Sequence, residues 1–142
     1  ILDFGKLKKA LDGNDFVFHL AANADIRSGV KNPRLDLDQN TIGTWNVLEA
    51  MRQTDVRNIV FSSSAAVYGE PEIFPTPESY APVQTSFYGA AKLAGEALIQ
   101  AYCEAYGFKS WIYRFVSVLG QRYSHGVVFD FVKKLLKNPK SL

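Results

Sequence analysis

The stretch Asp15-Phe16-Val17-Phe18-His19-Leu20, followed by small and polar residues at 21–23, largely decides the fold class. A short, almost wholly apolar run that ends in such residues is typical of a strand buried on both faces of a parallel sheet. Two further runs have the same form: Ile59-Val60-Phe61-Ser62 and Trp111-Ile112-Tyr113-Arg114-Phe115. The sequence therefore predicts three buried strands.

Helical patterns lie between and beside these strands. The first long one opens with Asn32 and Pro33 and predicts a helix over about residues 34–53, because asparagine is a common N-cap and proline favours the first helical position. The second predicts a helix over about residues 87–106, which Gly107 ends in a left-handed conformation. Shorter helices are expected over 4–11 and about 126–137. The apolar faces of the two long helices are assigned to Leu35, Ile42, Trp45, Leu48 and Met51, and to Ala91, Ala94, Leu98, Ala101 and Ala105.

The alternation of strands and helices indicates an α/β fold with a doubly wound parallel sheet. Ligands of such sheets bind at the carboxyl ends of the strands, which here are residues 21–23, 62–64 and 116–117. Three strands are few for this architecture, so we expect a partial sheet.

The composition excludes several classes of protein. The chain has 142 residues, of which 47% are hydrophobic and 21% charged, with a net charge of +2, which is typical of one globular domain. The sequence has no run of basic residues that would indicate binding to nucleic acid. It also has no apolar run of about 18 residues that would indicate a membrane span. With the single Cys103, no internal disulfide is possible and we expect a cytoplasmic protein. The chain begins without Met, so we also expect a piece of a longer protein.

The stretch Tyr88-Gly89-Ala90-Ala91-Lys92 places a phenol and an ammonium four residues apart on one helix face. A nearby cation lowers the pKa of tyrosine from about 10, and a sufficiently lowered pKa makes the phenol a general base or acid near neutral pH. On its own this spacing arises by chance in many helices, and a solvated lysine beside a half-buried tyrosine is then the commoner outcome.

The serines at 62–64 close a predicted strand at the edge where ligands bind. A hydroxyl there is suited to orient a substrate hydroxyl against the tyrosine. The alternative is that these serines cap the following turn.

Four motifs in this order resemble the extended short-chain dehydrogenase/reductase superfamily. They are His19-Leu20-Ala21-Ala22, the run from Asn40 to Ala50, the run from Phe61 to Gly69, and Tyr88-Gly89-Ala90-Ala91-Lys92. Within the superfamily the chain is most similar to the NAD-dependent epimerase/dehydratase family, in particular to nucleotide-sugar epimerases of the UDP-glucose 4-epimerase type.

The resemblance implies a partial Rossmann domain that binds NAD and acts on a nucleotide sugar. It implies Tyr88 as acid/base, Lys92 as its electrostatic partner and Ser64 as the third catalytic residue. The implied cofactor-binding residues are Leu20, Ala21, Ala22, Asn23, Asn40, Ser62, Ser63, Tyr88, Lys92 and Val116, and the substrate-binding residues are Ser64, Ser117 and Arg122. Arg122 has a simpler interpretation as an exposed surface arginine. Val116 and Ser117 depart from the aromatic residue and asparagine usual in the epimerases.

By the same resemblance, residues 1–142 form the second half of the cofactor domain. The glycine-rich first half and a carboxyl-terminal substrate domain are expected outside the chain. Ala65 and Ala66 stand where dehydratases and decarboxylases typically carry a carboxylate, which favours an epimerase. The alternatives are another nucleotide-sugar dehydratase, decarboxylase or reductase, a non-catalytic NAD(P)-binding protein, or an inactive fragment.

The remaining candidates concern metal binding and assembly. We expect no metal site, since His19 lies in a buried strand and His125 has no partner at ligand spacing. Cys103 is expected to be packed. Family members commonly dimerise by pairing the two long helices, so Trp45 and the alanine stripe are candidates for a homodimer contact, with core burial as the alternative.

Overall fold

A computed structural model describes residues 1–123 and 126–140. Its elements alternate as the sequence predicts. In chain order they are α1 (Phe4–Leu11), β1 (Phe16–His19), α2 (Ile26–Lys31), α3 (Pro33–Asp36), a π-helix (Leu37–Ile42), α4 (Gly43–Gln53), β2 (Asn58–Ser64), a 3-10 helix (Ala65–Tyr68), α5 (Phe87–Tyr106), β3 (Lys109–Phe115) and α6 (Val127–Lys137). None of these helices is long and apolar enough to cross a membrane.

The three strands form one parallel sheet in the order β1-β2-β3. Val17 lies opposite Ile59, and Phe61 lies opposite Ile112. The α/β class and the partial parallel sheet are thereby confirmed. Because the strands are parallel, all three carboxyl ends meet at one edge, which brings the segments after His19 and Phe115 beside the end of β2.

One face of the sheet is covered by α4 and α5 and holds the core. The buried apolar residues of this core are Val17, Val47, Leu48, Met51, Val56, Ile59, Phe61, Ile99 and Phe108. Helix α5 lies close against β2 at Gly95, where an added Cβ would stand 2.9 Å from Cζ of Phe61. This close approach holds the first turns of α5 near the end of β2.

The opposite face of the sheet is open. Phe18 is 67% exposed, and Phe16, Trp111 and Tyr113 beside it are also exposed. The rings of Phe16 and Trp111 stack at 5.5 Å between centroids, so the side chains form one continuous aromatic surface. Helix α6 likewise buries none of its residues.

The segment predicted as a helix over about 34–53 is helical from Pro33 to Gln53 but not uniform. Residues Leu37–Ile42 form a π-helix, and the Gly43 N–H donates to the carbonyl of Asp38, five residues back. Periodicity of apolar residues does not distinguish one wider turn from an α-helical turn. The sequence also gave no signal for the short helix α2, and the first strand ends at His19, one residue before the predicted Leu20.

The apolar stripes predicted for the long helices are buried in part and exposed in part. On α5 the buried residues are Gly89, Ala91, Lys92, Gly95, Glu96 and Ile99, whereas Ala101 and Ala105 are exposed. On the first long helix Leu48 and Met51 are buried, but Ile42 and Trp45 are 41% and 43% exposed. On α5, Lys92 and Glu96 are buried because they have hydrogen-bond partners in the sheet, at Ser62 and Ser63.

Candidate active site

Tyr88 lies in the first turn of α5, beside the end of β2. Ser86 caps this helix, and its hydroxyl accepts from the backbone N–H of Gly89 at 3.0 Å. Tyr88 is half-buried, and the Ser64 hydroxyl lies close enough to its phenol to lower the pKa of Tyr88. The Ser64 hydroxyl also accepts from the N–H of Ala66 at 3.1 Å. Ser64 therefore caps the following turn, as the alternative interpretation predicts, and its role towards a substrate hydroxyl stays a prediction.

Lys92 lies one turn further along the same face of α5 and is 3% exposed. Its Nζ donates to the carbonyl of Ser62 at 2.7 Å and lies 4.8 Å from the ring centroid of Phe61. The distance from Nζ to the centroid of the Tyr88 ring is 5.9 Å. The lysine thus joins α5 to the end of β2 directly beside the tyrosine.

The pKa values of this pair differ from the expectation of a phenol poised near neutral pH. Burial raises the pKa of Tyr88, the hydrogen bond from Ser64 lowers it, and the charge of Asp36 raises it further. Burial also lowers the pKa of Lys92 to about 8. The physical reason is that both groups lie in a poorly solvated environment, and the ammonium of Lys92 donates to the Ser62 carbonyl and not to the phenol.

Two hydrogen bonds join Asn23, which follows the end of β1, to Asn40 in the π-helix. The Asn40 side-chain oxygen accepts from the backbone N–H of Asn23 at 2.7 Å, and its amide group donates to the Asn23 carbonyl at 3.0 Å. Both side-chain amides donate to Oδ1 of Asp36, at 2.8 and 3.1 Å. Asp36 is 1% exposed, and its Oδ2 has no hydrogen-bond partner among the described residues. Asn40 therefore fixes the backbone that follows β1.

A chain of hydrogen bonds anchors the π-helix to β1. The Thr44 hydroxyl donates to the carbonyl of Asn40 at 2.6 Å, and Nε2 of His19 lies 2.9 Å from the same hydroxyl oxygen. Since that hydroxyl has already donated its proton, Nε2 of His19 carries a proton and donates. Burial lowers the pKa of His19 to about 4, with the charge of Lys92 adding to the effect. His19 is thus a packed, neutral histidine, as predicted.

The other candidate cofactor residues near the sheet edge differ in accessibility. Leu20 and Ala21 are exposed, and Ala22 is half-buried. The Ser62 hydroxyl donates to the carbonyl of His19 at 3.3 Å. The hydroxyl of Ser63 points the other way and donates to Oε1 of Glu96 at 2.5 Å. Its side chain therefore faces α5 and not the open end of the sheet.

Three further candidates follow the end of β3, and all of them are exposed. Val116 comes directly after Phe115, the residue that pairs with Ser64, and is 82% exposed. Ser117 and Arg122 are also exposed. Val116 lines a cleft of about 890 Å³ between β3, α5 and the loop after the 3-10 helix, whose walls include Tyr68 and Arg114. Tyr88, Lys92 and Ser64 do not line this cleft, but Ala65, the residue after Ser64, does.

Sequence reasoning missed two buried carboxylates, Asp36 and Glu96. A signal for both was present in the spacing, since Asp36 precedes Asn40 by four residues and Glu96 follows Lys92 by four. No group of three or more potential metal-ligating side chains occurs within residues 1–123 and 126–140. His125 lies outside the described residues. Cys103 is half-buried on α5, and its Sγ lies 3.4 Å from the Ser110 hydroxyl.

The hydrogen-bonding groups at this edge suit a ligand that carries sugar hydroxyls. The ammonium of Lys92 has three N–H groups, of which one donates to Ser62. The hydroxyls of Tyr88 and Ser64 lie beside it, and the small side chains of Ala21 and Ala22 allow close approach to the backbone after β1. The arrangement can bind ribose or sugar hydroxyls and exchange a proton with them.

Comparisons with known proteins agree with this geometry. A model of the NAD dependent epimerase/dehydratase family matches residues 1–142. A UDP-glucose 4-epimerase of Halalkalibacterium halodurans is 42% identical over 106 residues, which are 75% of this chain and 32% of that protein. The structure of a UDP-glucose 4-epimerase from Thermus thermophilus in complex with NAD superposes with a TM-score of 0.88 at 36% identity, covering 96% of this chain and 46% of that one.

A dTDP-glucose 4,6-dehydratase from Streptomyces venezuelae, solved with NAD bound, has a TM-score of 0.87 at 28% identity, covering 96% of this chain and 42% of that one. The chain thus spans less than half the length of these proteins. The two structures each cover 96% of this chain, and so the similarity includes the three-stranded sheet and the helix that carries Tyr88 and Lys92.

Proposed function

Since this chain belongs to the NAD dependent epimerase/dehydratase family, we propose that the whole protein is an NAD-dependent nucleotide-sugar epimerase of the UDP-glucose 4-epimerase type. The observation that carries the proposal is the position of Tyr88 beside Ser64 at the carboxyl edge of the sheet, with Nζ of Lys92 at 5.9 Å from the centroid of the Tyr88 ring. A phenol, a hydroxyl and an ammonium in this arrangement suit proton exchange with a sugar hydroxyl. The named relatives support the substrate class.

The proposed reaction begins at the sugar C4 hydroxyl. Tyr88, as phenolate, takes the hydroxyl proton while the hydrogen on C4 leaves as hydride, which gives a ketone at C4. When bound, NAD supplies the hydride acceptor. The keto sugar turns over in the pocket, hydride returns to the opposite face of C4, and Tyr88 returns the proton to the oxygen. Atoms and electrons balance, because the product differs from the substrate only in configuration.

The neighbours of Tyr88 have separate roles in this proposal. Ser64 orients the C4 hydroxyl towards the phenol, and its hydrogen bond is the one contact that lowers the pKa of Tyr88. Lys92 would bind the nicotinamide ribose through its remaining N–H groups, and the exposed backbone at Leu20 and Ala21 would contact the dinucleotide. Asn40 holds the adjoining Asn23 in place.

The two residues that follow Ser64 carry no carboxylate, and this favours epimerisation over dehydration. Ala65 and Ala66, at the start of the 3-10 helix, offer no proton donor beside Ser64. The two nearby carboxylates have other partners: Asp36 accepts from two amides in a buried position, and Glu96 is paired with Arg114. Elimination of water from the sugar requires such a group next to the catalytic hydroxyl.

We also propose that the whole protein forms a homodimer through its two long helices. On α5, Ala97, Ala101 and Ala105 recur every four residues and are exposed, and Trp45 of α4 is 43% exposed. Small residues beside a large aromatic one favour the pairing of helices. Sedimentation of the purified protein measures its oligomeric state and so tests this proposal.

The cytoplasm is the proposed compartment, since Cys103 is a free thiol. A glycine-rich first half and a substrate domain remain predictions about the whole protein.

The test is an assay of the whole protein with UDP-glucose or UDP-galactose. Chromatography measures interconversion, and absorbance of reduced nicotinamide detects net oxidation. Interconversion of the two sugars without accumulation of reduced nicotinamide supports the epimerase. A 4-keto-6-deoxy product supports a dehydratase instead. Bound NAD without turnover of either sugar redirects the search to other nucleotide sugars, and lack of bound NAD supports a non-catalytic protein.

A further inference from the structure

Glu96 is a buried carboxylate on the helix face that carries the proposed catalytic residues. It is 3% exposed and lies one turn after Lys92 and two turns after Tyr88. A buried charge is costly unless it is paired and hydrogen-bonded. Three hydrogen bonds satisfy it, one from Ser63 and two from Arg114.

The contact with Ser63 joins α5 to β2 between the two serines of the proposed site. The Ser63 hydroxyl donates to Oε1 of Glu96 at 2.5 Å. The preceding residue, Ser62, accepts from Lys92 through its carbonyl, and the following residue, Ser64, bonds to Tyr88. Hydrogen bonds to a charged acceptor are stronger than neutral ones. The contacts of Glu96 with Ser63 and of Lys92 with Ser62 are therefore both charge-assisted connections between α5 and this end of β2.

The contact with Arg114 extends the connection to β3. Nε and Nη2 of Arg114 donate to the two carboxylate oxygens of Glu96 at 3.0 and 2.8 Å. The same guanidinium donates through Nη1 to the carbonyl of Glu78 at 3.1 Å and lies 4.7 Å from the ring centroid of Tyr68. One carboxylate thus holds α5, β2, β3 and the loop after the 3-10 helix in a fixed relation.

Resting on the proposed acid/base role of Tyr88, we propose that Glu96 is a positioning residue. By holding Ser63 and Arg114 it sets the distance between α5 and the carboxyl edge of the sheet, and so aligns Tyr88 with Ser64. Glu96 itself takes no part in proton transfer, because both its oxygens are occupied and it is shielded from the open end of the sheet. An error of about 1 Å in such an alignment costs up to about 100-fold in rate.

The test is Ser63→Ala in the whole protein, which removes the connection to β2 and leaves the buried ion pair intact. We expect kcat to fall at least about 10-fold, and the pKa of Tyr88 to rise because its hydrogen bond with Ser64 weakens. The pKa is read from the ultraviolet absorbance of tyrosinate. The chain contains seven tyrosines, so the signal of Tyr88 is isolated as the difference between each protein and its Tyr88→Phe derivative.

The matched control is Ser110→Ala. Ser110 is also a sheet serine whose hydroxyl contacts α5, at Cys103, about four turns beyond Tyr88. We expect this variant to keep the pKa of Tyr88 and the kcat of the parent. Glu96→Gln is the second variant and is expected to raise the pKa of Tyr88 as Ser63→Ala does, because an amide group in place of one carboxylate oxygen faces the donors of Arg114.

The positioning role is overturned if Ser63→Ala lowers only the melting temperature and keeps the parent's kcat and Tyr88 pKa, while Tyr88→Phe abolishes turnover. In that case the proposed function stands. If Tyr88→Phe keeps turnover, the proposed function fails, and the positioning role fails with it.

Discussion

Two neighbours act on the pKa of Tyr88 in opposite directions, in addition to burial. The hydrogen bond from Ser64 lowers the pKa, whereas the negative charge of Asp36 raises it. Asp36 is an unusual neighbour for a proposed base, because it is buried and one of its oxygens has no partner among the described residues. The protein thus holds a charge that disfavours the phenolate close to the residue proposed to form it.

Tyr88→Phe in the whole protein is expected to lower kcat by about 10²- to 10⁴-fold, the contribution of a positioned general acid/base. The dissociation constant of NAD is expected to change little, because the ring and Lys92 remain. Steady-state kinetics and a cofactor titration measure the two quantities. A comparable loss of NAD binding contradicts the assigned role, since the hydroxyl would then act as a binding group.

Asp36→Asn is expected to lower the pKa of Tyr88. The amide removes the charge that opposes the phenolate, while its oxygen still accepts from Asn23 and Asn40. Turnover, which needs the phenolate, should then persist to lower pH than in the parent, as the acid side of the pH–rate profile shows. Asp38→Asn is the matched control, because it removes an equal charge that is paired with Arg34 at the surface. A profile that stays in place or moves to higher pH argues against the influence of Asp36.

At the scale of elements, the packing of α5 against β2 positions the proposed site. Gly95 permits the close approach, and Lys92 and Glu96 supply polar contacts on either side of it. The buried face of α5 thus includes two charged residues, whereas Ala101 and Ala105 are exposed. A periodicity based on apolar residues alone does not include Lys92 and Glu96 in that face.

Gly95→Ala is expected to destabilise the protein by about 1–2 kcal/mol, since overpacking costs about 1–3 kcal/mol and the gain in helix propensity is about 0.5–1 kcal/mol. The new Cβ would meet Phe61, which is 1% exposed and cannot move aside. Urea denaturation measures the free energy of unfolding. Gly5→Ala, in α1, is the control and should be stabilising, because the nearest atom to its Cβ is 3.7 Å away. If Gly95→Ala stabilises the protein instead, the Phe61 ring shifts to accommodate the new Cβ and the predicted overpacking is wrong.

Much of the fold could be predicted from the sequence, because the three apolar runs and the helix limits at Phe87 and Tyr106 are local signals. The proximity of Tyr88 and Ser64 also followed, since the helix that connects two parallel strands begins near the edge at which the first of them ends. The contacts of Glu96 and Asp36 did not follow. They depend on which residues face each other across the sheet, and a charged residue in a helical pattern ordinarily indicates a solvated face.

At the scale of the molecule, the two faces of the sheet differ sharply. One face is covered by α4 and α5, and the other exposes Phe16, Phe18 and Trp111. The apolar side of α6 is also exposed, including Leu136 at 82%. Contiguous apolar surfaces of this kind mark sites of association.

Expressed on its own, the chain of residues 1–142 is expected to bind the fluorescent dye ANS and to self-associate as its concentration rises. Dye fluorescence and light scattering measure the two effects. Phe18→Lys should reduce both, because it places a charge in the centre of the aromatic surface. Leu2→Lys, at an exposed apolar residue outside the sheet, is the control and should change neither. Equal effects of the two substitutions would show that general hydrophobicity, and not this surface, drives association.

The π-helix at Leu37–Ile42 is equivalent to one residue inserted into an otherwise α-helical segment. Deleting a single residue there would let the whole segment from Pro33 to Gln53 continue as an α-helix. Asp36 would then rotate by about 100° relative to α4, the angle between successive α-helical residues. Its contacts with Asn23 would be lost, although the helix itself would be more regular. Sequences related to this one should therefore tolerate substitutions in this turn more readily than a change in its length.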